Sequence, residues 1–309
     1  DFFKWIFIGT KSSYEQLIFE TSRGYKKFNI DFFNINSKEN FQIDPSYLGY
    51  ILENNNNCSE FIKNQILNLK NMNYMKVYKV IDWCEYFLQS CPSKFITNED
   101  IFIGKFSNPS TSIHFRIKRL GDLIFSSILL IFSIPLFLVS FLAIYLEDGY
   151  SFFYSQIRVG KNSKNFKISK IRTMKINAEN NGVQWAKKND TRITKVGKIL
   201  RKTRIDELPQ LVAVLKGEMS LIGPRPERPE FEEKLKQNIS HYSLRHSIRP
   251  GISGWAQVNF PYGASVEDAE IKLGYDLYYQ KNYSLMLDLL IFFKTIKLVL
   301  NAQGSTPKL

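Results

Sequence analysis

The stretch Arg201-Lys-Thr-Arg-Ile-Asp206-Glu207-Leu-Pro209-Gln-Leu places two adjacent carboxylates beside a cluster of fixed cations. We expect a helix to begin at Asp206 or just after it, because Pro209 suits a first turn and Gly217 suits the end. Four apolar residues would share one face of this helix: Leu208, Leu211, Val212 and Leu215. Asp206 would then lie near the positive end of a helix dipole, which keeps a carboxylate ionised.

This pair of carboxylates is suited to phosphate chemistry. An ionised aspartate among arginines can attack phosphorus, and a neighbouring glutamate such as Glu207 can bind Mg²⁺ through oxygen. The plainer alternative is an N-cap aspartate followed by a solvated glutamate. Downstream, Gly223-Pro-Arg225-Pro is a stiff turn that holds Arg225 in place, unless it is only a rigid connector.

Composition sets the class of partner. The chain has 309 residues and a formal net charge of +13, which implies nucleic acid, acidic lipid head groups or phosphorylated substrates. No nucleic-acid-binding motif is present in the sequence, so we expect no nucleic acid. Three cysteines without a CxxC spacing fit a reducing cytoplasm. Because the chain starts at Asp1 without Met, we expect a piece of a longer protein.

The N-terminal third predicts a small α/β domain with a partly parallel sheet. Residues 4–9 are typical of a buried strand and Ser13–Glu20 of a helix, followed by a helix at 59–69, a strand at 75–80 and a helix at 81–89. The Gly-x-Gly-x-x-Gly fingerprint of dinucleotide binding is absent. We expect a linker at 106–115.

An almost wholly apolar stretch at 123–146 is long enough to span a bilayer. Pro135 lies near its middle, where a proline kinks a helix. Both flanks are basic, and the positive-inside rule would put both on the cytoplasmic side. We therefore predict a helix that enters, bends at Pro135 and returns, with Ser133 or Ser140 bonding carbonyls freed at the bend. A plain transmembrane crossing is the alternative.

Further polar and apolar residues complete this pattern. Lys170 and Arg172 alternate to one face of a predicted strand, and Asp190 lies in a polar loop before a short helix. Several such cations converging on an Asp-Glu pair fit a diphosphate site. Near the end, apolar residues repeat at helical spacing from Leu285 to Leu300, in a helix that either packs on the core or lies among lipid head groups.

Ordered sequence blocks from about Arg116 to the C-terminus resemble the bacterial sugar transferase family, the polyprenyl-phosphate phosphoglycosyl transferases that initiate exopolysaccharide, capsule or O-antigen synthesis. The blocks include Lys118-Arg119-Leu-Gly-Asp122, Gln156-Ile-Arg158-Val-Gly160, Lys170-Ile-Arg172-Thr-Met, Asn189-Asp190-Thr-Arg192, the Asp206-Glu207 stretch, Lys216 to Glu227, Arg249 to Asn259 and Lys272 to Tyr279.

The resemblance implies a degenerate α/β Rossmann-like domain at 1–105 and a mainly α (α+β) monotopic membrane catalytic domain at 116–309 with a re-entrant helix at 120–146. It also implies an undecaprenyl-phosphate sugar phosphotransferase on the cytoplasmic face of the bacterial inner membrane. The substrates would be a UDP-sugar and undecaprenyl phosphate, with Mg²⁺ as cofactor and membrane lipids as further partners.

The implied chemistry is transfer of a sugar-1-phosphate with release of UMP. Asp206 would become covalently loaded with the phosphosugar, and Glu207 would ligate Mg²⁺. Arg201 and Arg225 would bind phosphate oxygens. Lys170 and Arg172 would line the pocket, and Asp122 or Asp190 would orient cations. A non-catalytic membrane scaffold for polysaccharide assembly is the alternative function. The sugar, the role of the first domain and the oligomeric state, including a homodimer, stay open.

Overall fold

The computed structural model describes residues 4–22, 27–35, 44, 46–53, 64, 75–106, 113–178, 190–260 and 265–301. The chain divides into two compact units, Asp1–Asp100 and Ile101–Leu309. Both contain helices and strands, so the mixed α/β character is confirmed. The predicted helix at 59–69 and residues 107–112 of the predicted linker lie outside the described residues, apart from Asn64.

The described residues of the first unit form four strands in one parallel sheet. These are β1 Lys4–Gly9, β2 Asn29–Asn34, β3 Gly49–Leu52 and β4 Lys76–Lys79, in the spatial order β2-β1-β3-β4. Three helices are α1 Lys11–Ser22, α2 Val80–Leu88 and α3 Asn98–Phe102, the last of which runs past the end of the unit. Trp5, Phe7, Tyr50, Ile51 and Trp83 are at most 1% exposed and form much of its core. A Rossmann-like relationship stays a prediction.

A carboxylate fills the end of this sheet where nucleotides bind in dinucleotide-binding domains. Glu53 follows β3 and accepts hydrogen bonds from the Thr10 backbone N–H at 2.5 Å and from the hydroxyls of Thr10 and Ser13 at the start of α1. A phosphate at this helix terminus would have to displace Glu53, because both are anions that need the same donors.

The second unit begins with α4, Ile113–Asp148, which contains Pro135. Two antiparallel strands follow, β5 Phe153–Val159 and β6 Asn165–Ile171, then α5 Lys195–Thr203 and α6 Leu211–Lys216. The parallel pair β7 Ser220–Ile222 and β8 Gly251–Ser253 brackets α7 Pro229–Asn238. The last helices are α8 Trp255–Asn259, α9 Val266–Lys281 and α10 Leu285–Leu300.

Helix α4 is held to the second unit at both ends. Near its start, Arg119 donates to the carbonyls of Val214 and Leu215 at 2.7 and 3.0 Å. Near its end, the Glu147 carboxylate accepts the backbone N–H groups of Lys195 and Val196 at 2.7 and 2.9 Å, which caps the N-terminus of α5. Most side chains between these ends are exposed apolar groups.

The predicted extent of the apolar helix needs correcting. The helix runs without interruption from Ile113 to Asp148, so its first turn lies inside the stretch expected to be a linker. Pro135 removes the N–H that would bond Ile131, but the Ser133 hydroxyl donates to the Leu129 carbonyl at 2.6 Å instead. The prediction that Ser133 bonds the carbonyl freed by the proline is therefore wrong, because its hydroxyl bonds a different carbonyl. The re-entrant path of the helix stays a prediction.

Helix α10 packs on the protein through Ile291 and several polar side chains, and most of its predicted apolar stripe faces outward. Its predicted apolar stripe is 39% to 79% exposed at Leu285, Leu289, Phe292, Phe293, Ile296 and Leu300. Asp288 instead pairs with Lys118 at 2.8 Å, and Thr295 bonds the Ser253 hydroxyl at 2.6 Å. Because the polar side binds the protein, the apolar stripe is left for another apolar environment, which favours the head-group alternative.

Candidate active site

Asp206 and Glu207 lie in a 3₁₀ turn, Ile205–Gln210, rather than at the start of an α-helix. Arg204 ends α5 with a left-handed backbone (φ 59°), which reverses the chain and buries both carboxylates to 7% exposure. The α-helix begins only at Leu211, so the predicted start was wrong, whereas its end at Gly217 (φ 84°) is confirmed. Val212 is 41% exposed and not on the buried face.

The position of this turn depends on close packing of α5 against Thr173, just after the end of β6. Thr194 caps α5 by accepting the Gly197 N–H at 2.9 Å. A Cβ on Gly197 would lie 2.1 Å from the Thr173 carbonyl oxygen, so only glycine lets α5 approach so closely. That approach allows the Arg201 Nε to donate to the Thr173 hydroxyl at 2.8 Å.

Three cations converge on one carboxylate oxygen of Glu207. Lys170 on β6 lies 2.9 Å from Oε1, Arg225 lies 2.7 Å away and Arg204 lies 3.8 Å away. Burial opposes ionisation of Glu207, but Arg225, Lys170 and Arg204 outweigh it and hold its pKa well below the usual range. Glu207 is therefore a permanently charged centre of the site.

Asp206 has the opposite electrostatic character. Burial and the neighbouring charge of Glu207 raise its pKa to about 6, against the smaller effects of Lys170, Arg201 and Arg204. Its Oδ1 is buried and has no hydrogen-bond partner among the described residues. The expectation that a helix dipole keeps Asp206 ionised is contradicted, because the turn is buried and the helix starts five residues later. Asp206 is instead a carboxylate that changes charge near neutral pH.

The pair borders a cavity of about 1110 Å³ with two chemically different regions. The polar region contains Lys170, Arg172, Arg192, Arg201, Arg204, Asp206, Glu207, Arg225, Arg228 and Lys272. The apolar region is lined by side chains of α4 and α10, among them Phe125, Ile128, Leu129, Leu289, Phe292 and Val299. A ligand with an anionic group and an apolar tail would match both regions.

A family model described as "Bacterial sugar transferase" matches residues 113–302. The chain belongs to the bacterial sugar transferase family. Its second unit, which carries the carboxylate pair and the cavity, contains the whole matched region.

Individual members of the family are similar over the same region. A UDP-N-acetylgalactosamine-undecaprenyl-phosphate N-acetylgalactosaminephosphotransferase from Aeromonas hydrophila is 48% identical over 62% of this chain and 46% of its own length. A UDP-glucose:undecaprenyl-phosphate glucose-1-phosphate transferase from Klebsiella pneumoniae is 41% identical over 62% and 42%. A relative with the same printed name from Caulobacter vibrioides is 36% identical over 64% and 74%. The chain thus spans less than half the length of the first two.

The oxygen donors of this family member suit Mg²⁺. Oε1 of Glu207 accepts both hydrogen bonds made to this side chain and forms its ion pairs. Oε2 accepts no hydrogen bond from the described residues, which leaves it open to a metal ion. No group of three or more His, Cys, Asp or Glu side chains forms a metal cage within the described ranges. Mg²⁺ needs none, since it is commonly held by one or two carboxylates together with substrate phosphates and water. Glu207 fits such a site.

Three other predicted site residues act on protein neighbours. Arg172 pairs with Asp148 and donates to carbonyls at the end of α4, so its guanidinium anchors that end at the cavity wall. Asp190 binds Arg192 through both oxygens, at 2.8 and 2.6 Å, and its pKa falls to about 2. It therefore orients one cation of the cavity.

Asp122 was also expected to orient cations. Its carboxylate accepts the Ser220 hydroxyl at 2.8 Å and the Leu221 N–H at 3.1 Å. These bonds fasten the start of α4 to β7 at the wall of the cavity, which Asp122 also lines. Asp122 is 5% exposed, and both of its hydrogen-bond donors are neutral groups. Its main structural contribution is therefore to fix the position of α4.

The sequence analysis did not predict the residues that hold the Arg225 backbone in place. Arg245 donates to the Arg225 carbonyl at 2.8 Å and pairs with Asp276 at 2.8 Å, both deeply buried. Gly223 lies so close to β8 that a Cβ would be 2.5 Å from the Arg249 carbonyl oxygen. Arg204 was missed as well, although it lies inside the quoted stretch. Its position three residues before Glu207 could have indicated this contact, because side chains three residues apart meet on a helical turn.

Proposed function

We propose that the chain transfers a sugar-1-phosphate from a UDP-sugar to undecaprenyl phosphate, with release of UMP, through a covalent aspartyl-phosphosugar intermediate. One observation carries the proposal. Asp206 is a buried aspartate with one oxygen that has no hydrogen-bond partner among the described residues, and it lies beside a glutamate held by three cations, on a cavity lined by both cationic and apolar side chains. The printed names of the Aeromonas and Klebsiella relatives support it.

The first step forms a bond between an Asp206 carboxylate oxygen and the phosphorus next to the sugar. The bond from that phosphorus to the bridging oxygen breaks, and UMP leaves with the electron pair. In the second step a lipid phosphate oxygen attacks the same phosphorus and Asp206 leaves as a carboxylate. Oδ1 of Asp206 suits the attack, since no protein donor shields it among the described residues.

The cations around Glu207 supply the electrostatic part of catalysis. Lys170, Arg204 and Arg225 are fixed in place before substrate arrives, because Glu207 holds them. Fixed charges stabilise negative charge that develops on a transferring phosphoryl group without reorganisation. Mg²⁺ held by Glu207 would neutralise the diphosphate and polarise its oxygens.

The apolar region of the cavity supports a lipid co-substrate. Its walls on α4 and α10 continue into the exposed apolar side chains of both helices. A prenyl chain lying there would bring its phosphate to the polar region near Asp206. The same apolar walls would keep bulk water from the phosphosugar intermediate, which is a mixed anhydride that water hydrolyses.

We further propose that α4 is a re-entrant membrane helix, with the catalytic unit on the cytoplasmic face of the inner membrane. The helix is apolar and long enough to cross a membrane, by its length and composition. Arg119 near its start and Glu147 near its end are both bonded to the same unit. A straight helix of 36 residues would be about 54 Å long. Attachment of both ends to one body on one membrane face supports a bend at Pro135.

Labelling of single cysteines in sealed inverted membrane vesicles tests this path. His114→Cys and Tyr150→Cys flank the apolar helix, in a background with Cys58 replaced by serine because Cys84 and Cys91 are buried. We expect a membrane-impermeant maleimide to label both positions from the cytoplasmic side. Labelling of the two positions from opposite sides would show a plain transmembrane crossing.

Loading of the chain by donor alone tests the chemistry. We expect the purified protein to gain the mass of one phosphosugar when incubated with Mg²⁺ and a UDP-sugar in the absence of undecaprenyl phosphate. The donor panel includes UDP-N-acetylgalactosamine and UDP-glucose, because the relatives carry both names. Addition of undecaprenyl phosphate should then remove the added mass. Turnover of a donor without any loaded species would contradict the two-step route.

A further inference from the structure

A second cavity, of about 330 Å³, lies beside the start of α4. Five basic side chains line it: Arg116, Lys118, Arg119, Lys161 and Arg249. Asp122 is the only carboxylate among the described residues that line it. The cavity borders the first one at Lys118 and Asp122 but contains neither Asp206 nor Glu207.

Part of this charge is already matched within the protein. Lys118 pairs with Asp288 at 2.8 Å. Arg119 binds the carbonyls of Val214 and Leu215 at the C-terminal end of α6, where a helix favours cations. Asp122 is occupied by the Ser220 and Leu221 donors and offers little to the remaining cations.

Three cations of the cavity stay unmatched. Arg116 and Lys161 have no carboxylate partner in the part of the chain that the structure describes. Arg249 donates through Nε to the Gly217 carbonyl at 2.8 Å, which leaves its two Nη groups without a bond to the described residues. Burial lowers the pKa of Lys161 and of Arg119, and the charge of Arg249 lowers both further. Like charges that repel one another around a cavity favour binding of an anion.

We propose that this cavity binds a phosphate group, held between Arg116, Lys161 and the free Nη groups of Arg249. Arginine and lysine are the side chains that bind phosphate oxygens most effectively, and Arg249 can offer two parallel donors. Phe115, Ile222 and Ile248 form the apolar wall.

Two sources offer this chemistry. One is the head group of an anionic phospholipid, since the neighbouring side chains of Ile117, Leu120 and Ile124 on α4 are 47% to 59% exposed and apolar. The other is a free phosphate ion. The site adds to the proposed activity and does not depend on it, because no residue of the carboxylate pair takes part.

Calorimetric titration of the full chain in a non-ionic detergent tests the site. The probes are inorganic phosphate, a short-chain phosphatidylglycerol and a short-chain phosphatidylcholine. The double variant Arg116→Gln/Lys161→Gln removes two of the unmatched cations. The matched control Lys164→Gln/Lys167→Gln removes two exposed lysines that do not line the cavity, so the net charge changes equally. Lys161→Gln alone serves as a second variant should the double variant unfold.

We expect the cavity variant to bind the anionic probe roughly tenfold more weakly than the control, which should match the unsubstituted chain. Tighter binding of phosphatidylglycerol than of inorganic phosphate would identify a lipid head group, and the reverse order would identify free phosphate. Equal affinity of the cavity variant and the control would overturn the proposal. Equal affinities for phosphatidylcholine and phosphatidylglycerol, with no binding of inorganic phosphate, would overturn it too, because charge would then play no part.

Discussion

Asp206→Asn is expected to lower UMP release from a UDP-sugar by at least about a thousandfold, because the amide cannot attack phosphorus. The same variant should gain no phosphosugar mass with donor alone. Continuous detection of UMP and intact-protein mass spectrometry measure the two effects. Retention of more than about a tenth of the activity would remove Asp206 from the role of nucleophile.

Stability separates this loss of activity from misfolding. The pKa of Asp206 is raised to about 6 in the folded chain, so the folded state binds its proton more tightly than the unfolded state. The stability contribution of that proton is present at low pH and is lost as the pH rises through about 6. Above that pH the charged aspartate costs about 1–3 kcal/mol, which a neutral asparagine avoids. We therefore expect Asp206→Asn to melt no lower than the unsubstituted chain at a pH well above 6.

The same pKa fixes the pH dependence of the unsubstituted chain. The attacking form of Asp206 is the carboxylate, so the rate of UMP release in the first turnover should fall as the pH drops below about 6. The apparent pKa belongs to the Asp206–Glu207 pair, since the two charges interact. A rate that stays constant down to pH values near an ordinary aspartate pKa would show that burial does not shift this group.

Glu207→Gln is expected to lower both activity and stability. Removal of the charge leaves Lys170 and Arg225 without their carboxylate partner, and a broken buried ion pair costs about 3–5 kcal/mol. Because Arg225 is about a third exposed, we expect a smaller value, about 2–3 kcal/mol. Loss of the fixed cation arrangement and of the Mg²⁺ ligand should lower kcat/KM by roughly a hundredfold or more.

A matched control sharpens this second test. Glu233→Gln makes the same chemical change on the exposed side of α7, outside the cavity, and should leave both activity and melting temperature unchanged. Titration with Mg²⁺ adds an independent readout, since Glu207→Gln should need more metal for half-maximal activity. Unaltered metal dependence with lowered stability would show that Glu207 organises cations without binding the metal.

Opposite effects on stability distinguish the two adjacent carboxylates. Asp206→Asn should lose activity and keep its stability, whereas Glu207→Gln should lose both. The difference arises because Glu207 faces three cations, whereas no donor from the described segments reaches the buried Oδ1 of Asp206. The two neighbouring acids therefore lose their protons in different pH ranges, because the pKa of Asp206 is raised to about 6 and that of Glu207 lies well below its usual range. This is the arrangement expected of a nucleophile beside an electrostatic anchor.

Sequence patterns located some elements well and others poorly. Strand β1, helix α5 and the end of α6 at Gly217 follow from local signals, since each depends on residues within one or two turns. The start at Asp206 was misjudged because Pro209 also suits a 3₁₀ turn, and local sequence does not distinguish the two. The stripe on α10 was identified correctly, but periodicity alone does not say which side faces the protein.

The sequence by itself determined the family, the apolar helix around Pro135 and the identity of the Asp206–Glu207 pair, because these are properties of residue type, order and spacing. The tertiary structure alone decided which cations reach Glu207. Lys170 lies 37 residues away in the chain and Arg225 lies 18 away, and only folding brings them within 3 Å of one oxygen. It also decided the charge of Asp206, since a pKa depends on burial and on distances that no local pattern encodes.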